Sequence, residues 1–386
     1  MYEIHPEKGL INRGNFTRIK NVMKKARRGE PVSTLFLGGS ITQGSLSSKQ
    51  ELCYASLVHA WWVKKFPQSN VRLINAGIGG TTSQFGVSRV RQHVLTEKPD
   101  FVLTEFAVND DNTEFFKETY ESLVRVLLKD EKKIGLMLMN NVRFDDGINA
   151  EDMHLEIAKR YDVPMVSMKA TIWPAICDGT INAPDITPDF LHPNDAGHEL
   201  VASVIINFLE KVYAELDEEE ASAEYDTDVT SKEIKLPSPI TSNMYEESLR
   251  IKSYNMSSAD GVSVKCDGFK PDTNPKKEFL DIFSQGFSAS KVGDSIEFTA
   301  DCTGLALQYQ KTIHLPAPVA KAVVDGDEAN AIVLDANFNE TWGDCLYIET
   351  IAKHLEKKKH TVKITITETH ENDQRPFYLV SCIASN

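Results

Sequence analysis

The first half of the chain alternates short apolar runs with amphipathic segments, and this alternation limits its fold more than any other feature. Five runs predict strands: STLFLGG, VRLINAG, PDFVLTEFAV, IGLMLMN and PMVSM. Between them, apolar residues recur at helical spacing, as at Tyr54, Leu57, Val58, Trp61 and Trp62. Strands this apolar, separated by helices, predict a doubly wound, five-stranded parallel sheet covered by helices on both faces.

The second half of the chain has a different character. From Leu216 the sequence LDEEEASAEYDTDVTSKEIKLPSPITSN is acidic and proline-marked, which predicts an exposed linker. Beyond Tyr245, short runs that alternate with a period of two are separated by turn signals such as Asp325-Gly326. We therefore predict an α/β domain over residues 1–214, a linker over 215–243 and an all-β sandwich over 244–386.

Composition excludes several classes of partner. The formal net charge is −14 and the pI is about 5.3, so the surface should repel nucleic acid and anionic membranes. No apolar run approaches the roughly 18 residues that a membrane helix needs, and the N-terminus lacks the pattern of a signal peptide. The six cysteines form no C-x-x-C pair, which predicts reduced thiols and a cytoplasmic location.

Polar or glycine-rich segments follow the first three predicted strands, and a fourth precedes the last predicted helix. These segments are Gly-Gly-Ser ending at Ser40, NAGIGGTTS, Asn109-Asp110, and Asp189 with His192. Each segment alone is most often a turn, a cap or a surface pair. Because ligands of open α/β sheets bind outside the carboxyl ends of the strands, we expect the four segments to converge there.

Together the four segments contain the groups that acyl transfer requires. Ser40 can act as the nucleophile, His192 as the general base, and Asp189 as the group that orients the imidazole. Three donors are available for the oxyanion: the N–H of Ser40, the N–H of Gly80 and the side-chain amide of Asn109. The residues therefore predict a serine hydrolase.

Other site chemistries fit less well. Gly-Ile-Gly-Gly lacks the full G-x-G-x-x-G spacing of a dinucleotide site. His192, Asp195 and His198 have no second ligand cluster, so we predict neither a metal nor a cofactor. Thr42 occupies the place of the second glycine in the G-x-S-x-G elbow of α/β-hydrolases, which argues against that fold.

These residues resemble the four blocks of the SGNH hydrolases, also called GDSL-type esterases. The matching segments are FLGGSITQG, NAGIGGTTSQFG, AVND and DFLH, within residues 30–212. The resemblance implies a flavodoxin-like sheet, a Ser40–Asp189–His192 triad, and an oxyanion hole of Ser40, Gly80 and Asn109. Two positions depart from the family pattern, because Gly39 replaces an aspartate and Ala107 replaces a glycine.

The two-domain arrangement resembles bacterial carbohydrate acetylesterases, whose second domain is similar to a carbohydrate-binding module. The segment NFNETWGD, residues 337–344, resembles a loop of that domain and implies that Trp342 binds substrate. The implied activity is removal of O-acetyl groups from plant oligosaccharides, with acetylated manno-oligosaccharides as the first expectation. The alternatives are a xylan or other short-chain carboxylesterase, a lipase-like hydrolase or thioesterase, and a carbohydrate-binding protein with a weak esterase domain. The oligomeric state is not predicted.

Overall fold

The computed structural model describes residues 2–221, 236–257, 261–340 and 342–386. The chain divides into two compact units: Met1–Gly86 with Val90–Ser242, and Val87–Arg89 with Asn243–Asn386. The last helix of the first unit ends at Ala221, six residues beyond the start of the predicted linker at residue 215. Because residues 222–235 of that linker lie outside the described residues, the domain limits remain a prediction.

The first unit is built on one sheet. Its strands are β1 Leu10–Asn12, β2 Val32–Gly38, β3 Val71–Gly77, β4 Phe101–Glu105, β5 Gly135–Asn140 and β6 Met165–Ser167. The spatial order is β1-β6-β5-β4-β2-β3, and β2 to β6 are parallel, which confirms the predicted fold class. The sheet has one strand more than the predicted five, because β1 pairs antiparallel with β6 at the edge. Three residues are too few to produce a periodic signal.

Helices cover both faces of this sheet. They are α1 Thr17–Arg27, α2 Ser40–Gln43, α3 Tyr54–Lys65, α4 Ser83–Arg89, α5 Glu114–Lys129, α6 Glu151–Arg160, α7 Ile172–Cys177, α8 Ala183–Ile186 and α9 Asp195–Ala221. The buried core includes Phe36 of β2, Trp62 of α3 and Phe208 of α9. Every residue of β4 and β5 is buried, as expected for central strands covered on both faces. In the described residues, no helix combines the length and apolar character that crossing a bilayer requires.

The N-terminus of α9 differs from what its sequence predicts. An aspartate before an apolar run predicts a cap at Asp195, but the side chain of Asn194 accepts the hydrogen bond from the Gly197 N–H at 3.2 Å. The Asp195 carboxylate instead accepts bonds from the backbone N–H and the hydroxyl of Ser48, at 2.7 and 2.6 Å. The preceding asparagine takes the capping role because Asp195 already lies in the first turn of the helix.

The strand order fixes where a ligand can bind. From β2 the chain crosses to β3 on one side, and it then crosses back to β4 on the other side of β2. Gly38, at the end of β2, is paired with Gly77 of β3 and with Glu105 of β4. The crevice between β2 and β4 is therefore the topological switch point, where open α/β sheets bind their ligands.

The second unit contains two antiparallel sheets that share one core, as predicted for a sandwich. One sheet consists of β7 Ser248–Ile251, β9 Lys270–Pro271, β10 Phe287–Ala289, β12 Gly304–Lys311, β15 Cys345–Ala352 and β17 Phe377–Ser385. The other consists of β8 Ser263–Asp267, β11 Ser295–Cys302, β13 Val319–Val324, β14 Ile332–Asp335 and β16 Lys358–Glu368. Side chains from both sheets fill the core, including Phe287 and Tyr309 from one sheet and Phe298 and Ile364 from the other.

Candidate active site

Ser40, His192 and Asp189 form a hydrogen-bonded line beside the switch point. The Ser40 hydroxyl Oγ lies 2.7 Å from His192 Nε2. On the opposite side of the ring, His192 Nδ1 lies 2.7 Å from Asp189 Oδ2. The structure therefore brings the Ser40 hydroxyl to an imidazole 152 residues away in sequence, with a carboxylate on the far side of the ring, in the order that nucleophile activation requires.

Ser40 is held where the chain leaves the sheet. β2 ends at Gly38, and Ser40 begins the single helical turn α2 two residues later. The turn closes at Gly44, whose left-handed conformation (φ 103°) allows its N–H to bond back to the carbonyl of Ser40. The N–H of Ser40 has no acceptor within the helix because it belongs to the first turn. This N–H can therefore serve an external oxygen atom.

The Asp189 loop orients the histidine. Asp189 Oδ1 accepts the backbone N–H groups of His192 and Leu191, at 2.7 and 3.0 Å. Burial alone would raise the pKa of Asp189, but the hydrogen bonds from His192 and Leu191 hold it below its ordinary value. Asp189 is therefore a carboxylate at neutral pH and accepts a proton-bearing Nδ1. That tautomer leaves the lone pair of His192 Nε2 free to accept the Ser40 proton.

Asn109 lies in the tight turn that follows β4. Its backbone N–H donates to the carbonyl of Phe106 at 3.0 Å. Its side-chain oxygen Oδ1 is buried and has no hydrogen-bond partner among the described residues. Since the oxygen is enclosed, the amide nitrogen Nδ2 is the atom available to an external acceptor, as an oxyanion donor requires.

Gly80 belongs to the loop between β3 and α4. It is exposed and adopts a left-handed conformation (φ 67°), which side-chain-bearing residues rarely tolerate. The preceding residue, Gly79, donates its N–H to Gln43 Oε1 at 2.7 Å, which ties the loop to the helical turn that begins at Ser40. Sequence reasoning did not single out Gln43, although it lies within the segment that contains Ser40.

His198 does not join the site, although it lies only six residues beyond His192. Its ring is fully buried; Nδ1 lies 3.3 Å from the backbone N–H of Tyr54, and Nε2 lies 3.3 Å from the carbonyl of Ser45. Burial lowers the pKa of His198 to about 4, so the ring is neutral at physiological pH. Among the described residues, no three histidine, cysteine or acidic side chains are grouped so as to hold a metal ion.

Trp342 lies in the second unit. Its side chain is 58% exposed, and its ring packs edge-on against Phe338 with centroids 4.9 Å apart. The indole therefore contributes little to the sandwich core. Its role in substrate binding remains a prediction.

Comparisons with known proteins identify the family that this chain resembles. Residues 36–200 match the model of the GDSL-like Lipase/Acylhydrolase family. The Escherichia coli (strain K12) protein thioesterase 1/protease 1/lysophospholipase L1 is 27% identical over 178 residues, which are 44% of this chain and 78% of that protein.

The full chain is similar to a protein of known structure. That protein is a two-domain esterase (CEX) active on acetylated mannans, and one of its crystal structures was obtained by co-crystallisation with mannopentaose. It is 50% identical, with a TM-score of 0.90, and the match covers 100% of this chain and 99% of that chain. The resemblance that the sequence motifs indicated is thus confirmed: this chain belongs to the SGNH, or GDSL-type, hydrolase family and is a carboxylic ester hydrolase.

Proposed function

We propose that this protein is a serine esterase that removes O-acetyl groups from manno-oligosaccharides of plant origin through an acyl-enzyme. The observation that carries the proposal is the Ser40–His192–Asp189 line, with both hydrogen bonds at 2.7 Å. The substrate class rests on the 50% identical esterase, which is active on acetylated mannans and has been crystallised with mannopentaose. The proposal includes the catalytic and oxyanion-binding roles that are described below for Ser40, Asp189, His192, Gly80 and Asn109.

The first half-reaction transfers the acetyl group to the enzyme. His192 Nε2 takes the Ser40 proton while Oγ attacks the acetyl carbonyl, and the carbonyl oxygen becomes an oxyanion. The N–H groups of Ser40 and Gly80 and the Asn109 amide donate to this oxyanion, each contributing about 3 kcal/mol to the barrier reduction. The intermediate then expels the sugar oxygen, which takes the proton from His192. Acetyl-Ser40 and a free sugar hydroxyl remain.

The second half-reaction releases acetate. His192 is neutral again and removes a proton from a water molecule, whose oxygen attacks the acetyl carbonyl of acetyl-Ser40. The second tetrahedral intermediate breaks the bond to Oγ, and the proton on His192 returns to Ser40. Asp189 stays ionised throughout and stabilises the imidazolium that forms in each half-reaction.

The second unit is proposed to bind carbohydrate. Its sandwich architecture is compatible with a binding module, and Trp342 presents an exposed indole of the kind that covers sugar faces. We also propose that the enzyme acts in the cytoplasm on imported fragments. All six cysteines are free thiols, as is usual in a reducing compartment.

The test compares acetate release and NMR-resolved products on acetylated mannan, acetylated xylan and cellulose acetate. The proposal expects the highest kcat/KM on acetylated manno-oligosaccharides, with loss of the acetyl signals from mannose. Faster acetate release from acetylated xylan than from acetylated mannan would identify xylan as the substrate, as in the alternative expectation. Binding of mannan without acetate release would indicate a carbohydrate-binding protein and contradict the esterase.

A further inference from the structure

Asp110 links the two loops that carry the proposed oxyanion donors. It directly follows Asn109, and both residues donate their backbone N–H groups to the carbonyl of Phe106, at 3.0 and 2.9 Å. Its Oδ1 accepts the N–H of Ser83 at 2.9 Å. Ser83 is the first residue of α4 and lies three residues after Gly80. One side chain therefore ties the Asn109 turn to the end of the Gly80 loop.

The second oxygen of Asp110 faces a buried histidine. Asp110 Oδ2 lies 3.4 Å from His154 Nε2, and both side chains are fully buried. His154 Nδ1 lies 3.1 Å from Asn140 Oδ1 at the end of β5, and its ring stacks on Tyr120 with centroids 3.6 Å apart. Asp110 Oδ2 and His154 Nε2 thus face each other inside the protein, and neither atom has a hydrogen-bond partner among the described residues. The histidine is thus fixed by the sheet on one side and by α5 on the other.

Stability alone is a weak explanation for this arrangement. Burying two ionisable side chains incurs desolvation costs, and apolar replacements of similar volume are frequently as stable. The contact with His154 gives Asp110 a defined position. Asp110 adjoins Asn109 in the chain and accepts the hydrogen bond from the Ser83 N–H. Oxyanion donors lose most of their effect when they move by about 1 Å.

We propose that Asp110 and His154 are positioning residues that set the separation between the Asn109 amide and the Gly80 N–H. The proposal rests on the proposed esterase function, because it concerns groups that stabilise the oxyanion. Neither residue touches the reacting atoms. Their effect on the reaction passes through Asn109, and this makes the proposal testable.

The test is a double-mutant cycle on kcat with an aryl acetate. His154→Phe keeps a ring that can stack on Tyr120 but removes the ring nitrogen that faces Asp110. We expect a roughly 10-fold lower kcat, with KM changed by less than about 2-fold. In an Asn109→Ala background, where the donor is already absent, the same substitution should change kcat by less than about 2-fold. An equal loss in both backgrounds would show that His154 does not act through Asn109 and would overturn the proposal.

Two further variants separate positioning from folding. Asp110→Asn keeps an oxygen that can accept the Ser83 N–H but removes the carboxylate that faces His154, so it should reproduce the kcat loss even if His154→Phe folds poorly. His360→Phe is the matched control, since His360 is buried in the second unit and pairs with Asp325 at 2.7 Å. It should lower Tm and leave kcat unchanged. A lowered Tm with unchanged kcat for both His154→Phe and Asp110→Asn would leave only a structural role.

Failure of this proposal can be told apart from failure of the proposed function. Ser40→Ala is assayed with the same aryl acetate. Activity that survives in Ser40→Ala would contradict the serine mechanism itself, whatever the cycle shows. If Ser40→Ala loses activity but His154→Phe lowers kcat equally in the wild-type and Asn109→Ala backgrounds, only the positioning role is contradicted.

Discussion

The side-chain oxygen of Asn109 occupies the space in which residue 39 would carry a side chain. An ideal Cβ built on Gly39 would lie 2.3 Å from Asn109 Oδ1 and 3.2 Å from its Cγ. A contact this short cannot exist, so any larger residue at position 39 has to displace the Asn109 amide or the backbone. The glycine that replaces the family's usual aspartate is therefore part of the geometry that holds the proposed oxyanion donor.

Gly39→Ala should consequently impair catalysis. We expect kcat on an aryl acetate to fall at least roughly 10-fold, because a displaced amide no longer meets the oxyanion. Gly304→Ala is the control, since an added Cβ there stays 3.6 Å from its nearest neighbours. Steady-state kinetics of both variants check the prediction. An unchanged kcat for Gly39→Ala would show that the Asn109 amide can move without consequence.

The buried carboxyl group of Glu105 gives the first unit a predictable pH dependence. Burial raises the pKa of Glu105 from 4.5 to about 7, although backbone hydrogen bonds from Asn141 and Ala107 act in the opposite direction. Between pH 4.5 and about 7, Glu105 loses its proton in the unfolded state but retains it in the folded state. This residue's contribution to the free energy of unfolding therefore falls as pH rises through this window, and it is constant above about pH 7.

Glu105→Gln should remove this dependence. As pH rises from 4.5 to 7, the wild type should lose up to about 3 kcal/mol of unfolding free energy that the variant does not lose, at 1.36 kcal/mol per pKa unit. Urea unfolding followed by tryptophan fluorescence at several pH values measures the difference. Glu131→Gln, at an exposed position, serves as the control. A wild-type–variant difference that does not change with pH would show that Glu105 is not protonated in the folded protein.

The proposed general-base step should give the pH–rate profile an acid limb. A base accepts the Ser40 proton only in its neutral form, so kcat/KM should fall at acid pH. The pKa of His198 is lowered to about 4 by burial, so its titration lies below this limb. His198→Asn keeps an acceptor for the Tyr54 N–H and should leave the limb in place. Activity that is flat down to about pH 4 would require a different base.

Trp342 provides a test of carbohydrate recognition by the second unit. Trp342→Ala should reduce kcat/KM on an acetylated manno-oligosaccharide roughly 10-fold or more, while kcat/KM on an aryl acetate changes little. The aryl acetate is the control because it has no sugar ring for the indole to cover. Trp342→Phe, which retains an aromatic face, should lose less. Equal losses on both substrates, together with a lower Tm, would assign Trp342 a structural role.

The sequence predicted those parts of the fold that have a local signal. The five parallel strands are apolar runs between helical segments, and this alternation is visible without any knowledge of neighbours. In the second half, the predicted strands β8, β11, β12, β13, β14, β16 and β17 correspond to the runs GVSVKC, DSIEFTA, GLALQYQ, AKAVVDG, AIVLD, HTVKITIT and FYLVSCI. No run predicts β1, β9 and β10, which have three residues or fewer, or β7 and β15. In β15 only the first two residues are buried, so the strand shows no alternation.

The candidate site residues could be located from the sequence, because three of their segments follow strands and the fourth precedes the last helix of the first unit. The supporting groups could not. Asp110 was noted only as half of an Asn-Asp turn pair, and His154 was not noted at all. They lie 44 positions apart and meet only through the packing of α6 against the sheet. No local pattern marks a histidine whose partner lies on another element. Such groups are found from tertiary contacts alone.

The proposed serine mechanism depends on Ser40, so the decisive measurement is the activity of Ser40→Ala on acetylated manno-oligosaccharides. Acetate release is measured for the wild type and the variant at equal concentration, and Tm is measured for both. We expect a kcat at least about 10³-fold lower with an unchanged Tm, because the nucleophile is lost while the fold remains. A folded variant that keeps a tenth or more of the wild-type rate would contradict the serine mechanism.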